Sequence, residues 1–247
     1  MARKRAVHLT FAANHARLRE ALSGAVQIDQ TLWVVNDETA SLERFTHQGN
    51  DSDAHPQYGH HTRFAVKDYI PLPIPPQADE EGEEVDMEGL AYADGYLWLA
   101  GSHSLSRNKP DTDDPLEKAF QQLAELKRGG NRYLLARIPL VADDAGIHTP
   151  QVSVEQADTT LTAARLHGDA SGNELMAALR CDPHLSPFLD LPGKDNGLDI
   201  EGLAAIGRRV FLGLRGPVLR GWAVILELEP VADPDDPTLL RLAAIGG

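Results

Sequence analysis

A six-residue pattern that occurs twice constrains this chain more than its length or composition does. Asp86-Met87-Glu88-Gly89-Leu90-Ala91 recurs as Asp199-Ile200-Glu201-Gly202-Leu203-Ala204, 113 residues later (199 − 86). Each copy runs into a short turn and then an apolar strand pattern. These are Tyr96-Leu97-Trp98-Leu99-Ala100 after the first copy and Val210-Phe211-Leu212-Gly213-Leu214 after the second. Two carboxylates and a glycine at the same phase ahead of a hairpin mean that one structural unit is reused.

The remaining apolar runs are short and separated by turn residues, as in Thr31-Leu32-Trp33-Val34-Val35, Arg63 to Ile70, Tyr133 to Leu140 and Gly221 to Leu228. Consecutive short antiparallel strands with a repeated unit predict an all-β fold, a β-propeller with short helical insertions. A β-sandwich accounts for the strands but leaves the repeat unexplained. The sheet pattern is expected over residues 25–247, after an N-terminal segment at 1–24. Blades take ~40–50 residues, so the offset between the copies predicts blades two apart. Helices are expected from Pro115, with Leu116, Phe120 and Leu123 on one face, and from about Asn173 to Cys181, capped by Ser171. In the second helix Cys181 is expected to act as a buried small hydrophobe. Residues 47–62, with His47, His55, His60 and His61, read as a polar loop, and the acidic run from Asp79 to Glu84 as a solvated one.

Charge narrows the partners. With 37 acidic and 23 basic residues the chain carries a formal charge of −14, which repels phosphate backbones and argues against nucleic acid. The single cysteine excludes an internal disulfide and a cysteine-based zinc site. No apolar run approaches the ~18 residues of a membrane span, and no apolar stretch follows the basic N-terminus. A cytoplasmic protein with a small-molecule or protein ligand, and no membrane partner, is the expectation.

Within a strand Asp86 and Glu88 share a side, as do Asp199 and Glu201. Four convergent carboxylates need a cation, a shared proton or basic partners. Calcium, which takes six to eight hard oxygen ligands in loose geometry, is the best candidate, with Asp37, Glu38, Asp195 and Asn196 as further oxygens. The competing reading is structural: such side chains bond neighbouring backbone amides while the glycine admits a close approach. His103 between Ser102 and Ser104 is the best acid–base candidate, and Arg107, Lys109 and Arg215 can hold an anion. Two functions follow. One is a ligand- or protein-binding scaffold. The other is a calcium-assisted hydrolase of an ester or phosphoester, in which His103 moves a proton and Arg107 or Arg215 orients the substrate.

Several pieces together carry a family resemblance: Leu32 to Glu38 with Leu42-Glu43-Arg44, both copies of the repeat, Gly101-Ser102-His103-Ser104, and Gly213-Leu214-Arg215-Gly216-Pro217. On these the chain resembles the uncharacterised bacterial family numbered 3616 among the domains of unknown function. The Asp-x-Glu-Gly-Leu-Ala motif is also similar to one in esterase-like phytase and related propellers, which implies a propeller fold and no activity. Members of the resembled family extend past the last residue here, so the resemblance implies an incomplete ring.

Overall fold

The computed structural model describes residues 6–12, 16–49, 55–76, 84–156 and 159–246. Three hairpins built to one plan organise it. Strands β2 (Leu22–Ile28) and β3 (Thr31–Asn36) pair around Asp29-Gln30, with Ile28 opposite Thr31. Strands β6 (Met87–Ala93) and β7 (Tyr96–Gly101) pair around Asp94-Gly95, with Ala93 opposite Tyr96. Strands β17 (Asp199–Ile206) and β18 (Arg209–Gly216) pair around Gly207-Arg208, with Ile206 opposite Arg209. Asp94 and Gly95 both have positive φ, 51° and 80°, which the twist-matched two-residue hairpin turn requires.

Each hairpin carries a β-bulge at the same place. The register slips between Leu22 and Gly24, between Met87 and Gly89, and between Ile200 and Gly202, which leaves Ser23, Glu88 and Glu201 as the extra residues. Ala21-Leu22-Ser23-Gly24 is therefore a third copy of the repeated unit, 65 residues before the first (87 − 22), in which alanine and serine stand for the two carboxylates.

Around these hairpins β1 (His8–Leu9), β4 (Ser41–Gln48) and β5 (Gln57–Ala65) complete a five-stranded sheet in the order β1-β5-β4-β3-β2, where β1 runs parallel to β5. Helix α1 (Ala16–Glu20) leads into β2. The second hairpin continues through β8 (Leu105–Arg107), α2 (Leu116–Ala124) and β9 (Leu126–Arg128) to β10 (Leu135–Ala142) and β11 (His148–Pro150). After the small pair β12 (Ser153–Gln156) and β13 (Thr159–Thr162) comes β14 (Ala164–Leu166), then β15 (Gly168–Asp169), β16 (Gly172–Asn173) and α3 (Glu174–Arg180). The third hairpin continues through β19 (Ile225–Ala232) and β20 (Leu239–Gly246). Strand β14 pairs antiparallel with β10 and parallel with β20, which gives one run β17-β18-β19-β20-β14-β10-β7-β6. Its two ends pack on each other, so the run is a nearly closed, barrel-like sheet. The architecture is all-β and matches an incomplete β-propeller whose inner strands are β2, β6 and β17.

Glycine sets the spacing of those inner strands. A Cβ on Gly24 would lie 3.4 Å from Leu90 N and 3.5 Å from Gly89 Cα, and one on Gly89 would lie 2.5 Å from Leu203 Cβ. One apolar core fills the space between the first sheet and β6-β7, with Trp33, Leu42, Met87, Leu97 and Ile138 fully enclosed. The other fills the barrel-like sheet, where Trp98, Leu135, Leu212 and Leu240 meet Leu175 and Leu179 of α3.

Several expectations need correction. The 113-residue offset does not separate blades two apart: β6 and β17 are direct neighbours, and the extra length is the insertion holding α2, α3 and the small strand pairs. Residues 47–62 are not all loop, because β5 begins at Gln57; His61 there stacks on Phe45 at 4.8 Å and meets the buried Glu43 at 2.6 Å. The first hairpin strand begins at Leu22 rather than 25, and His8–Leu9 of the N-terminal segment adds an edge strand to the same sheet. Asn173, not Ser171, caps α3, accepting a hydrogen bond from Met176 N. Cys181 is exposed at the end of that helix. Helix α2 forms as expected, yet Leu116 and Phe120 on its apolar face are 76% and 70% exposed. Of the acidic run only Glu84 lies within the described residues. No helix among the described residues is long and apolar enough to cross a membrane.

Candidate functional site

The shared register makes three sets of positions equivalent at the open end of the inner strands: Ala21, Asp86 and Asp199 before the bulge; Ser23, Glu88 and Glu201 on it; and Asp37, Ser102 and Arg215, each the residue after the one paired with Leu22, Met87 or Ile200. The last set decides the charge of each sector. In the third hairpin Arg215 pairs with Asp199 and, at 2.5 Å, with Glu201 Oε1, so both carboxylates have a counter-ion of their own. In the second, Ser102 Oγ donates to Asp86 Oδ2 at 2.5 Å, a hydroxyl where the third hairpin has a cation. In the first, Asp37 adds a further negative charge.

Asp37, Asp86 and Glu88 each bring a carboxylate oxygen within 4.8 Å of the others. Ser23 holds this junction by donating to the carbonyl of Met87 on the neighbouring strand. Asp86 has φ of 53°, a left-handed conformation costly for a residue with a side chain. The basic counterweight is Arg132, whose Nη1 lies 3.3 Å from Asp86 Oδ2 while Nη2 reaches Glu84 Oε1 at 2.7 Å. Asp37 Oδ1 is shut off from solvent and accepts no hydrogen bond among the described residues.

Burial pushes the Glu88 carboxyl up to about 7, and the charges of Asp86, Glu201, Asp37 and Asp199 add to the rise. Burial likewise raises Asp199 to about 6, against the opposing pull of Arg215. Asp37 is raised by burial and then by Asp86 and Glu38. Such a cluster has unmet demand for positive charge, which a proton or a cation satisfies.

The other candidate residues lie elsewhere or are engaged. His103 is 1% exposed, with Nδ1 2.9 Å from the Gly101 carbonyl and Nε2 2.8 Å from Asn173 Nδ2. That environment selects the Nδ1–H tautomer, in which Nδ1 donates to Gly101 and Nε2 accepts from Asn173. Burial holds its pKa down at about 4. Arg107 donates to Asp195 Oδ2 at 2.7 Å and to the Leu123 carbonyl, tying β8 to α2. Asn196 Oδ1 accepts from Val218 N, and Glu38 and Lys109 are exposed. The structure thus brings Asp86, Glu88, Asp199, Glu201 and Arg215 to one end of the fold, while the His103 ring turns to Asn173 and Arg107 pairs with Asp195.

Asn173 closes three bonds at once: it caps α3, donates to His103 Nε2 and donates to the Tyr133 carbonyl at 2.7 Å. Asn173→Ala strands two buried acceptors and removes the cap, so urea denaturation should report a loss of about 3 kcal/mol. Stability close to wild type would mean that this buried network contributes little.

Sequence reasoning did not single out Arg132 or Ser23. Arg132 follows Gly129-Gly130 in a single 3₁₀ turn and carries no periodic signal. Ser23 would have emerged from aligning the hairpins on Leu32-Trp33 and Leu97-Trp98 rather than on the carboxylates.

A family model described as "Protein of unknown function (DUF3616)" matches residues 21–247. The chain belongs to that family. The DUF3616 match begins at Ala21, the first residue of the third, carboxylate-free copy, so it takes in all three hairpins. No curated protein matches the chain.

Proposed function

We propose that this protein is a binding scaffold whose inner-strand end takes one divalent cation, calcium foremost, at Asp37, Asp86 and Glu88. The observation that carries the reading is the asymmetry between the equivalent sectors. Asp199 and Glu201 are closed by Arg215, whereas Asp86 and Glu88 face an additional carboxylate, with Arg132 as the one ion-pair partner of Asp86 among the described residues. Hard oxygen ligands on two packed strands suit a cation that tolerates irregular geometry. Ser102 stays on Asp86 as a hydrogen-bond donor and fixes its orientation.

The hydrolase alternative finds less support. Its proton carrier, His103, is enclosed with both ring nitrogens bonded, and Arg107 is held by Asp195. A bound cation would instead order the strand ends and shape a surface for a small or protein ligand.

Isothermal titration of chelator-treated protein with calcium tests the reading. One site in the micromolar range is expected, with a melting temperature that rises with free cation. Asp86→Asn with Glu88→Gln should abolish both. If calcium, magnesium and manganese all give neither heat nor a melting shift at millimolar concentration, the proposal fails.

A further inference from the structure

At the opposite, turn-bearing end of the same hairpins, one arginine has no hydrogen-bond acceptor or counter-ion among the described residues. Arg137 lies on β10 between Trp98 of β7 and Ala164 of β14, its registered neighbours, and so projects into the barrel-like sheet. Its guanidinium carbon sits 4.2 Å from the centre of the Tyr96 ring and 5.7 Å from that of Trp98. Nε is shut off from solvent and donates to nothing. Among the described residues Arg137 makes no hydrogen bond and no ion pair.

Two other arginines also have an enclosed Nε without an acceptor, and they show what is unusual here. Arg44 spends Nη1 on the His148 carbonyl and Thr149 Oγ1, and Arg165 spends Nη1 on the carbonyls of Leu166 and Gly168. Arg137 has only the two aromatic faces. Cation–π contact recovers part of the lost hydration, but it leaves the enclosed Nε–H unanswered, with Nη1 and Nη2 open to a ligand or to solvent. A donor enclosed without an acceptor is costly, and folds normally supply one.

The surroundings suit a ligand with an apolar part. Ala91 and Ala93, in register with Trp98 and Tyr96, and Ala164 across the strand keep that face of the sheet low. Leu161 and Leu242 are half-buried and pack against the core to which this face belongs. Arg137 is half-buried as a residue and its Nη atoms are not among the enclosed ones, so a path from solvent exists. Burial lowers the Arg137 pKa from its ordinary value, in keeping with a cation that lacks a counter-charge.

We infer that the turn end of the barrel-like sheet binds a small organic monocarboxylate, held in the fork of Arg137 against Tyr96 and Trp98 with its hydrocarbon part on the alanine- and leucine-lined wall. The planar fork matches a carboxylate through two parallel hydrogen bonds, and a monoanion with an apolar tail loses less hydration here than inorganic phosphate does. The site is independent of the carboxylate cluster and stands whether or not that cluster takes a cation.

Hexanoate is a suitable probe and Trp98 the reporter, in a Trp222→Phe background that removes the 77%-exposed tryptophan while Trp33 stays fully buried. Hexanoate should change the fluorescence saturably in the millimolar range and raise the melting temperature, with neither effect from chloride at equal ionic strength. Arg137→Met should abolish both responses without lowering the melting temperature of the unliganded protein, because it removes an uncompensated charge. If that variant does not fold, Arg137→Lys serves: it keeps the charge but loses the fork, and hexanoate should bind at least tenfold more weakly. The inference is overturned if hexanoate gives no saturable change, if chloride reproduces it, if phosphate binds as tightly, or if the Arg137 variants bind hexanoate like wild type.

Discussion

Glu88→Gln is expected to stabilise the cation-free protein by about 2 kcal/mol at pH 8 and to leave it unchanged at pH 4. The Glu88 carboxyl is pushed up to about 7 in the folded chain, from an ordinary 4.5, first by burial and then by Asp86, Glu201, Asp37 and Asp199. A carboxyl whose folded value is raised favours folding only while it is protonated. Its contribution is therefore full below about 4.5 and is lost as pH climbs through about 7. A tenfold change in proton affinity corresponds to about 1.4 kcal/mol, and the solvent that still reaches this side chain reduces the total to about 2 kcal/mol. Glutamine keeps the shape and removes the charge, so its advantage should appear between pH 4.5 and 7 and hold above. Urea denaturation in chelator at pH 4, 6 and 8 measures it. A difference that stays flat with pH would mean that the cluster is well solvated and has no unmet charge. Added calcium should invert the ranking at pH 8, because wild type regains through the cation what the variant gained by substitution, and the variant has lost a ligand.

The same cluster shows what a sequence of this kind exposes and what it conceals. The two carboxylate-bearing copies and their hairpins were legible because motif, turn and apolar run repeat at fixed spacing. The copy at Ala21-Leu22-Ser23-Gly24 was not, since the residues that draw attention elsewhere are absent from it; the hairpin register reveals it. The spatial order of the units was also hidden. A 113-residue offset reads as a distance between blades, while the fold spends most of it on insertions and sets β6 directly against β17. Local pattern records which segments are strands, not which edges meet. Side-chain roles divided the same way. Asp86 and Glu88 do come together, but through a left-handed Asp86 ahead of β6 and a bulge at Glu88 rather than through strand alternation. His103 between two serines looked reactive, yet Asn173 and the Gly101 carbonyl, one of them 70 residues distant in the chain, occupy its nitrogens. Arg215 pairs with its own sector's carboxylates, Asp199 and Glu201, a partnership that its distance along the chain from the first copy did not announce.

The repeated glycine makes a sharper test of how the units meet, because the two copies should respond differently. In Gly89→Ala the new Cβ would lie 2.5 Å from Leu203 Cβ and 3.2 Å from Leu203 N. Neither neighbour is the far end of a flexible side chain, so β6 and β17 must move apart. Overpacking of this kind costs about 3 kcal/mol. In Gly202→Ala the nearest atom is Gly213 Cα at 3.5 Å, ordinary contact, and the cost should stay below about 1 kcal/mol. Urea midpoints of the two variants give the comparison directly. Equal costs would mean that the glycine serves the hairpin itself and not the contact between inner strands. Glu88 and Glu201 flank that contact, so parting the strands also relieves Glu88 of one of its like charges. A folded Gly89→Ala protein should therefore titrate Glu88 closer to its ordinary value and bind calcium more weakly, while Gly202→Ala keeps both properties.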